Sequence, residues 1–148
     1  MKILRTLCFA FSVYSVPAAV LAQDARYVSP VDGDTIYILL DGELERLRLK
    51  GIDTAETRGR TFCPGQRGGV RPREYQAGVA AAEWVERVLA TTDVIEVVFA
   101  READGTIERD GFDRPLGDLL IYGVSLSREL LTSGYARPWP RGERWWCK

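Results

Sequence analysis

The chain has 148 residues, with 20 Lys and Arg against 21 Asp and Glu, and it contains no His. This length suits one compact domain, and the absence of His excludes Ser-His-Asp and Cys-His hydrolases and the usual His-ligated zinc sites. Proton transfer near neutral pH must therefore fall to carboxylates or to a perturbed Lys, Tyr or Cys, and a bound metal would need oxygen ligands.

Residues 1–22 have the pattern of a cleaved secretory signal peptide. Lys2 and Arg5 precede the apolar stretch LCFAFSVYSV, and small residues lead to a cleavage site after Ala22. A membrane anchor is the alternative, although the apolar run is short for a bilayer span. We therefore expect export to the periplasm or the outside, and a single domain at residues 23–148 with no membrane span.

Removal of the signal peptide changes the charge of the protein. It leaves 18 basic and 21 acidic residues, a net charge near −3. A general attraction to nucleic acid is then absent, so phosphate binding must be local or assisted by a cation.

The mature chain alternates short apolar runs with turn signals. Asp41-Gly42 is a strong hairpin signal, Leu47 and Leu49 alternate with basic residues, and the last segment has no clear period. The predicted elements, in chain order, are strands at 25–31, 35–40 and 43–52, a loop at 58–73, a helix at 74–90, strands at 93–100 and 115–123, and a helix at 125–134.

This order of elements matches a known small architecture. Three strands, a helix and two more strands are the content of a five-stranded Greek-key barrel of the oligonucleotide/oligosaccharide-binding kind, the OB fold. Other small α+β arrangements have the same content. We predict an α+β fold dominated by a five-stranded Greek-key OB-fold-like β-barrel with two or three helices.

Two carboxylates stand at the ends of neighbouring strands. Asp34 begins the second predicted strand and Asp53 follows the third, and the hairpin makes those strands antiparallel. The two residues lie at unequal distances from the hairpin turn, so a bulge or the coiling of a barrel strand is needed to bring them together. Two adjacent carboxylates repel, and a divalent cation would relieve that repulsion.

Nearby residues supply the other parts needed for phosphodiester hydrolysis. Glu56 is placed to act on water as a general base, and the guanidinium of Arg48 could hold a phosphate oxygen. Each feature also has a structural interpretation. The DGD sequence is most often a turn, the strand arginines are most often solvated, and Asp53 with Glu56 has the spacing of a helix capping box.

Three motifs resemble one family when taken together. DGDT at 32–35, RLKGIDTAET at 48–57 and DGFDRPLG at 110–117 are similar to the signature of the thermonuclease family, the staphylococcal-nuclease-like proteins. The similarity runs from about Tyr27 to Trp139, with the elements in the family's order. The resemblance implies a five-stranded barrel with helices that acts as a calcium-dependent endonuclease on DNA and RNA and leaves 3′-phosphate ends.

The resemblance also implies roles for particular residues. Asp34 and Asp53 would bind Ca²⁺ through their carboxylates, and Thr54 through its backbone carbonyl. Glu56 would be the general base. The scissile phosphate would be bound by Arg48 and Arg114.

The chain departs from the family pattern in its substrate contacts. Gly111-Phe112 replaces the usual basic-aromatic pair before the second arginine. The expected base-stacking tyrosines are out of register, which leaves Trp139 as the nearest aromatic residue. Arg58 and Arg60 of the basic loop are weaker candidates for substrate binding. The family's long C-terminal helix is also replaced, here by a segment that reads RWWCK.

Two cysteines remain after Cys8 leaves with the signal peptide. Cys63 lies in the basic loop and Cys147 near the end of the printed sequence. In an oxidising compartment a disulfide is the default, and it would fix the last segment across the loop. The alternative is two unpaired thiols.

The sequence therefore predicts a monomeric, exported, calcium-dependent endonuclease with DNA, RNA or both as substrate. The main alternative is a non-catalytic OB-fold module that binds nucleic acid or protein, because a fold does not determine a function. An envelope or scaffolding domain is a third possibility.

Overall fold

A computed structural model of the chain describes residues 22–92 and 95–148. The predicted signal peptide, apart from Ala22, lies outside the described residues, as do Asp93 and Val94. No helix within the described ranges is long and apolar enough to cross a membrane.

The described chain folds into short strands and two α-helices. The elements are β1 (Gln23–Pro30), β2 (Thr35–Leu40), β3 (Glu43–Leu49), β4 (Ile52–Thr54), α1 (Pro72–Leu89), β5 (Ile95–Phe99), β6 (Leu116–Ile121), β7 (Val124–Ser125), α2 (Leu126–Thr132), β8 (Ala136–Pro138) and a 3-10 helix at Trp145–Cys147.

Five strands close into a mixed barrel, which confirms the predicted OB-fold-like class. Antiparallel pairing runs in the order β3-β2-β1-β5-β6, and a short parallel pairing of β3 with β6 closes the ring. In that closing pair Arg48 lies opposite Leu116 and Leu49 opposite Gly117. Arg48 therefore has neighbouring strands on both edges, so the backbone of this arginine is held in place.

Alternation along the strands places one face of each strand in the core. Leu47 and Leu49 are buried, while Arg46 and Arg48 on the other face of β3 are partly exposed, as predicted. Burying a large aliphatic side chain contributes about 1.5–3 kcal/mol, so this pattern determines which face of the strand is left for the site. The fully buried large core residues include Ile36, Ile38, Leu47, Val97, Leu119, Leu126 and Leu130.

The two helices lie close to their predicted positions. α1 begins at Pro72, two residues earlier than predicted, because proline is favoured in a first helical turn and the carboxylate of Glu74 accepts a 3.5 Å hydrogen bond from the backbone N–H of Arg71. In α2 the hydroxyl of Ser125 accepts a hydrogen bond from the backbone N–H of Arg128, so Ser125 is the N-cap of this helix.

The predicted third strand is two strands in the structure. β3 ends at Leu49, the chain turns through Gly51 with φ +80°, and β4 leaves in a new direction to pair with β8. β8 lies in the segment for which the sequence showed no period. A register shift occurs between Tyr27 and Ser29 of β1, away from the carboxylates. The turn at Gly51, rather than a bulge, therefore brings Asp53 toward Asp34.

Candidate active site

Asp34 ties the turn before β2 to β4. Its carboxylate is buried and accepts a 2.7 Å hydrogen bond from the backbone N–H of Thr54, and its backbone carbonyl accepts from the N–H of Leu49 at 2.8 Å. Thr54 itself is buried. Two predicted metal ligands that are twenty residues apart in sequence are thus in direct contact.

Gly33 allows this close approach. A Cβ at that position would lie 2.5 Å from the Cβ of Ala81 on α1 and 2.9 Å from Cγ2 of Thr54. Gly78 has a similar place on α1, where a Cβ would lie 2.6 Å from the carbonyl oxygen of Ala55. The helix therefore packs directly against the backbone of the segment that carries Glu56.

Arg48 lies between the two carboxylates predicted to bind metal. Its Nη1 is 2.6 Å from Oδ1 of Asp34, and its Nη2 is 3.6 Å from Oδ1 of Asp53. Nη2 also donates to the carbonyl of Ile52 at 3.2 Å. In this structure the guanidinium supplies the positive charge that the paired carboxylates require.

Asp53 has two further cationic partners that the sequence did not indicate. The β4–β8 pairing places Asp53 opposite Arg137, whose Nε and Nη2 donate to Oδ2 of Asp53 at 2.9 and 2.6 Å. Nε of Arg144 lies 3.5 Å from the same oxygen. Arg137 is buried, and its Nη1 donates to the carbonyl of Gly142 at 2.9 Å.

Asp110 holds the side chain of Arg114 beside the start of β2. Its Nε and Nη2 lie 2.6 and 2.5 Å from Oδ2 of Asp110, and its Nη1 donates to the hydroxyl of Thr35 at 3.2 Å. The guanidinium lies 5.3 Å from the ring centre of Phe112, which is 78% exposed. Asp110 was not singled out from the sequence, and it fixes the orientation of Arg114.

Glu56 is a partly buried carboxyl among other carboxyls. Burial, followed by repulsion from Asp32, Asp34 and Asp53, raises the pKa of Glu56 to about 7. Burial also raises the pKa of Asp34 above its ordinary value, because the nearby guanidinium of Arg48 only partly opposes it. The surroundings of Glu56 therefore disfavour its ionised form, although Arg48 lies near enough to oppose this effect in part.

One cleft of about 320 Å³ joins these groups. Trp139 lines the cleft and is half exposed, and its backbone N–H donates to the carbonyl of Gly51 at 2.9 Å. Arg58 and Arg60 are exposed and do not line this cleft, so the structure does not bring them to the other predicted residues. The lining residues are Asp32, Asp34, Arg46, Arg48, Asp53, Glu56, Phe62, Phe112, Arg114, Trp139 and Arg144.

A disulfide joins Cys63 to Cys147, as predicted, with 5.4 Å between the Cα atoms. Cys63 is buried with Ala55 and Trp146 in a small second core. The bridge holds the segment after β8 across the basic loop. This places Arg144, three residues before Cys147, at the cleft.

The donor set at Asp34, Asp53 and Thr54 fits a hard cation. Two carboxylates and a backbone carbonyl are oxygen ligands of the kind that calcium prefers. The two carboxylates already share one positive group, because the guanidinium of Arg48 lies between them. Within residues 22–92 and 95–148, no three His, Cys, Asp or Glu side chains are grouped closely enough to hold a metal by themselves. A calcium ion would therefore need the Thr54 carbonyl, water and substrate oxygens as its remaining ligands.

Comparisons with known proteins identify a relative whose own activity is not characterized. No family model matches the chain. It is similar to an uncharacterized protein of Methanocaldococcus jannaschii, with 31% identity over an alignment that covers 76% of this chain and 57% of that protein. The chain thus spans little more than half the length of this relative.

Proposed function

We propose that the chain is an exported, calcium-dependent endonuclease of the thermonuclease kind that hydrolyses phosphodiester bonds of DNA, RNA or both. The observation that carries the proposal is the presence of three carboxylates and two arginines around one cleft. These residues come from separate parts of the chain, and their types match the requirements of phosphodiester hydrolysis. They are Asp34, Arg48, Asp53, Glu56 and Arg114.

Each side chain has a distinct part in the proposed reaction. Calcium held by Asp34, Asp53 and the carbonyl of Thr54 would supply positive charge for the phosphate. Glu56 takes a proton from the attacking water, and a pKa near 7 suits a base that works near neutral pH. The water oxygen bonds to phosphorus as the bond to the 5′ oxygen breaks. The 5′ oxygen takes a proton from solvent and Glu56 later releases its own to solvent, which leaves a 3′-phosphate and a 5′-hydroxyl.

The arginines would bind the phosphate on which charge develops. Guanidinium groups make paired, planar hydrogen bonds to phosphate oxygens. Arg114 is oriented for this by Asp110 and Thr35. Arg48 now contacts the carboxylates of Asp34 and Asp53, and a cation bound by those carboxylates would compete with it for them.

One observation favours a non-catalytic binding module as the alternative. The carboxylate of Asp53 already has Arg48, Arg137 and Arg144 within 3.6 Å, as expected if the charges serve only to stabilise the barrel. The two functions predict different products from the same nucleic acid.

Incubation of the mature protein with plasmid DNA and with RNA in calcium separates these two functions. An endonuclease shortens at least one of the two nucleic acids, as seen on a denaturing gel. A binding module retards them on a native gel and leaves their length unchanged, and that result would contradict the proposal.

A further inference from the structure

Arg144 differs from the other arginines around Asp53 in how fully its donors are used. Arg137 gives two short hydrogen bonds to Oδ2 of Asp53 and is buried. Arg144 reaches the same oxygen only at 3.5 Å, and its one hydrogen bond with a described residue runs from Nη1 to the carbonyl of Phe62 at 3.0 Å. Its Nη2 has no such bond to the described residues.

The charge of Arg144 is therefore not required to balance Asp53. The carboxylate of Asp53 is already paired with Arg137, whose Nε and Nη2 both donate to Oδ2, and Arg48 approaches its other oxygen. A guanidinium with unused donors at a cleft is suited to an anionic ligand. The side chain of Arg144 is 25% exposed and lines the same cleft as Glu56.

The fold fixes the position of Arg144 from both sides. Three residues later Cys147 is bonded to Cys63, and Trp146 is buried beside that bridge. Before it, Arg137 holds the carbonyl of Gly142. The backbone around Arg144 is thus tied to the basic loop and to β8, so the side chain is presented at the cleft by a constrained segment.

From these contacts we propose that Arg144 is a further phosphate-binding residue, which the Cys63–Cys147 disulfide holds at the cleft. It contacts a backbone phosphate of a single-stranded polynucleotide, next to the phosphate bound by Arg48 and Arg114. The exposed rings of Phe62, Phe112 and Trp139 border the same cleft and favour unpaired bases, which stack on aromatic side chains. This inference rests on the proposed endonuclease function.

The test compares Arg144→Ala with Arg141→Ala, using the affinity for a fluorescein-labelled single-stranded oligonucleotide. Arg141 is an exposed arginine three residues earlier in the same segment, and it makes no ion pair with the described residues. Affinity is measured by anisotropy in chelator at several salt concentrations, so binding is followed without cleavage. Digestion of the same oligonucleotide in calcium is measured in parallel.

We expect Arg144→Ala to bind about tenfold more weakly than wild type, because a hydrogen bond to a charged group is lost. The slope of log affinity against log salt should fall by about 0.7, the value for one phosphate contact with a single strand. Arg141→Ala should match wild type in both quantities. A loss of packing alone would not change the salt slope, and thermal unfolding of each variant checks the fold.

Reduction of the disulfide is a second measurement that does not alter Arg144. Mild reductant should weaken binding by the wild type and leave binding by Arg144→Ala unchanged, because the released segment no longer presents the guanidinium. If wild type binds and digests the oligonucleotide but Arg144→Ala equals Arg141→Ala in affinity and slope, the inference is wrong. If wild type neither binds nor digests it, the proposed function is wrong, and this inference fails with it.

Discussion

The proposed reaction needs Glu56 in its ionised form, and the folded protein is less stable with Glu56 in that form. Its carboxyl is partly buried beside Asp32, Asp34 and Asp53, and its pKa is raised to about 7. A raised pKa means that the folded protein disfavours the ionised form. The contribution of Glu56 to stability is therefore fully present below its ordinary pKa and is lost as the pH rises through about 7.

Glu56→Gln should for this reason stabilise the calcium-free protein at pH 8 and have little effect at pH 4. Glutamine has the shape of the neutral acid and cannot ionise. The measurement is the unfolding temperature of variant and wild type in chelator at both pH values. Glu83→Gln, on the exposed face of α1, is the control and should show no pH-dependent difference. Equal stabilities of Glu56→Gln and wild type at pH 8 would contradict the inference that the folded protein disfavours the ionised form of Glu56.

Arg114→Lys should lower kcat/KM for nucleic acid by about tenfold or more. An ammonium group cannot make the paired, planar contact that a guanidinium makes with phosphate, nor the two hydrogen bonds to Asp110. Digestion rates in calcium measure the loss. Arg128→Lys, at an exposed position in α2, is the matched control. If lysine at position 114 is as active as arginine, Arg114 is only a surface charge.

At the scale of the elements, the barrel strands were predictable because they are long enough to show their period. Leu47 and Leu49 alternate with arginines, and the structure places them in the core as that pattern indicates. β4 and β8 have only three residues each, too few to show a period, so their pairing could not be predicted.

The grouping of five candidate site residues could also be predicted from the sequence, and their roles stay predictions. Asp34, Arg48, Asp53, Glu56 and Arg114 lie around one cleft. Arg137 and Arg144 were missed because they belong to the segment without periodicity. The cysteine pair was the available signal for the position of these two arginines. A bridge from Cys147 to the basic loop requires the residues before Cys147 to pass near β4.

Gly33→Ala should destabilise the protein by about 1–3 kcal/mol, the usual effect of overpacking. The added methyl group would overlap Ala81 of α1 and Thr54 of β4, which are backbone-anchored and cannot easily move apart. Chemical denaturation measures the change in the free energy of unfolding. Gly111→Ala is the control, because no neighbouring heavy atom lies within 4 Å of the new methyl position. Equal effects of the two substitutions would show that α1 is not tightly packed against the turn.

At the scale of the whole molecule, the disulfide links two parts that the barrel alone does not hold together. Cys63 and Cys147 are separated by 84 positions, and their bridge closes both α-helices, the barrel strands β5 and β6 and the last segment into one loop. Chain entropy assigns such a loop about 4 kcal/mol of stabilisation.

Reduction should therefore shift the denaturant midpoint of the wild type strongly to lower concentration. The double variant Cys63→Ala/Cys147→Ala should unfold at a similarly low concentration and be insensitive to reductant. A wild-type midpoint that does not change on reduction, with both thiols shown to be free by alkylation, would mean that the bridge adds nothing to stability.

In the proposed function, the carboxylates of Asp34 and Asp53 serve a calcium-dependent hydrolysis in which Glu56 is the base. The direct measurement is the cleavage rate of an end-labelled oligonucleotide by wild type and Glu56→Gln, in calcium, in excess chelator, and after calcium is restored. We predict cleavage to 3′-phosphate products by wild type only when calcium is available, and a rate lower by about 10²-fold or more in Glu56→Gln. Cleavage that persists in chelator, or a Glu56→Gln rate equal to that of wild type, would contradict it.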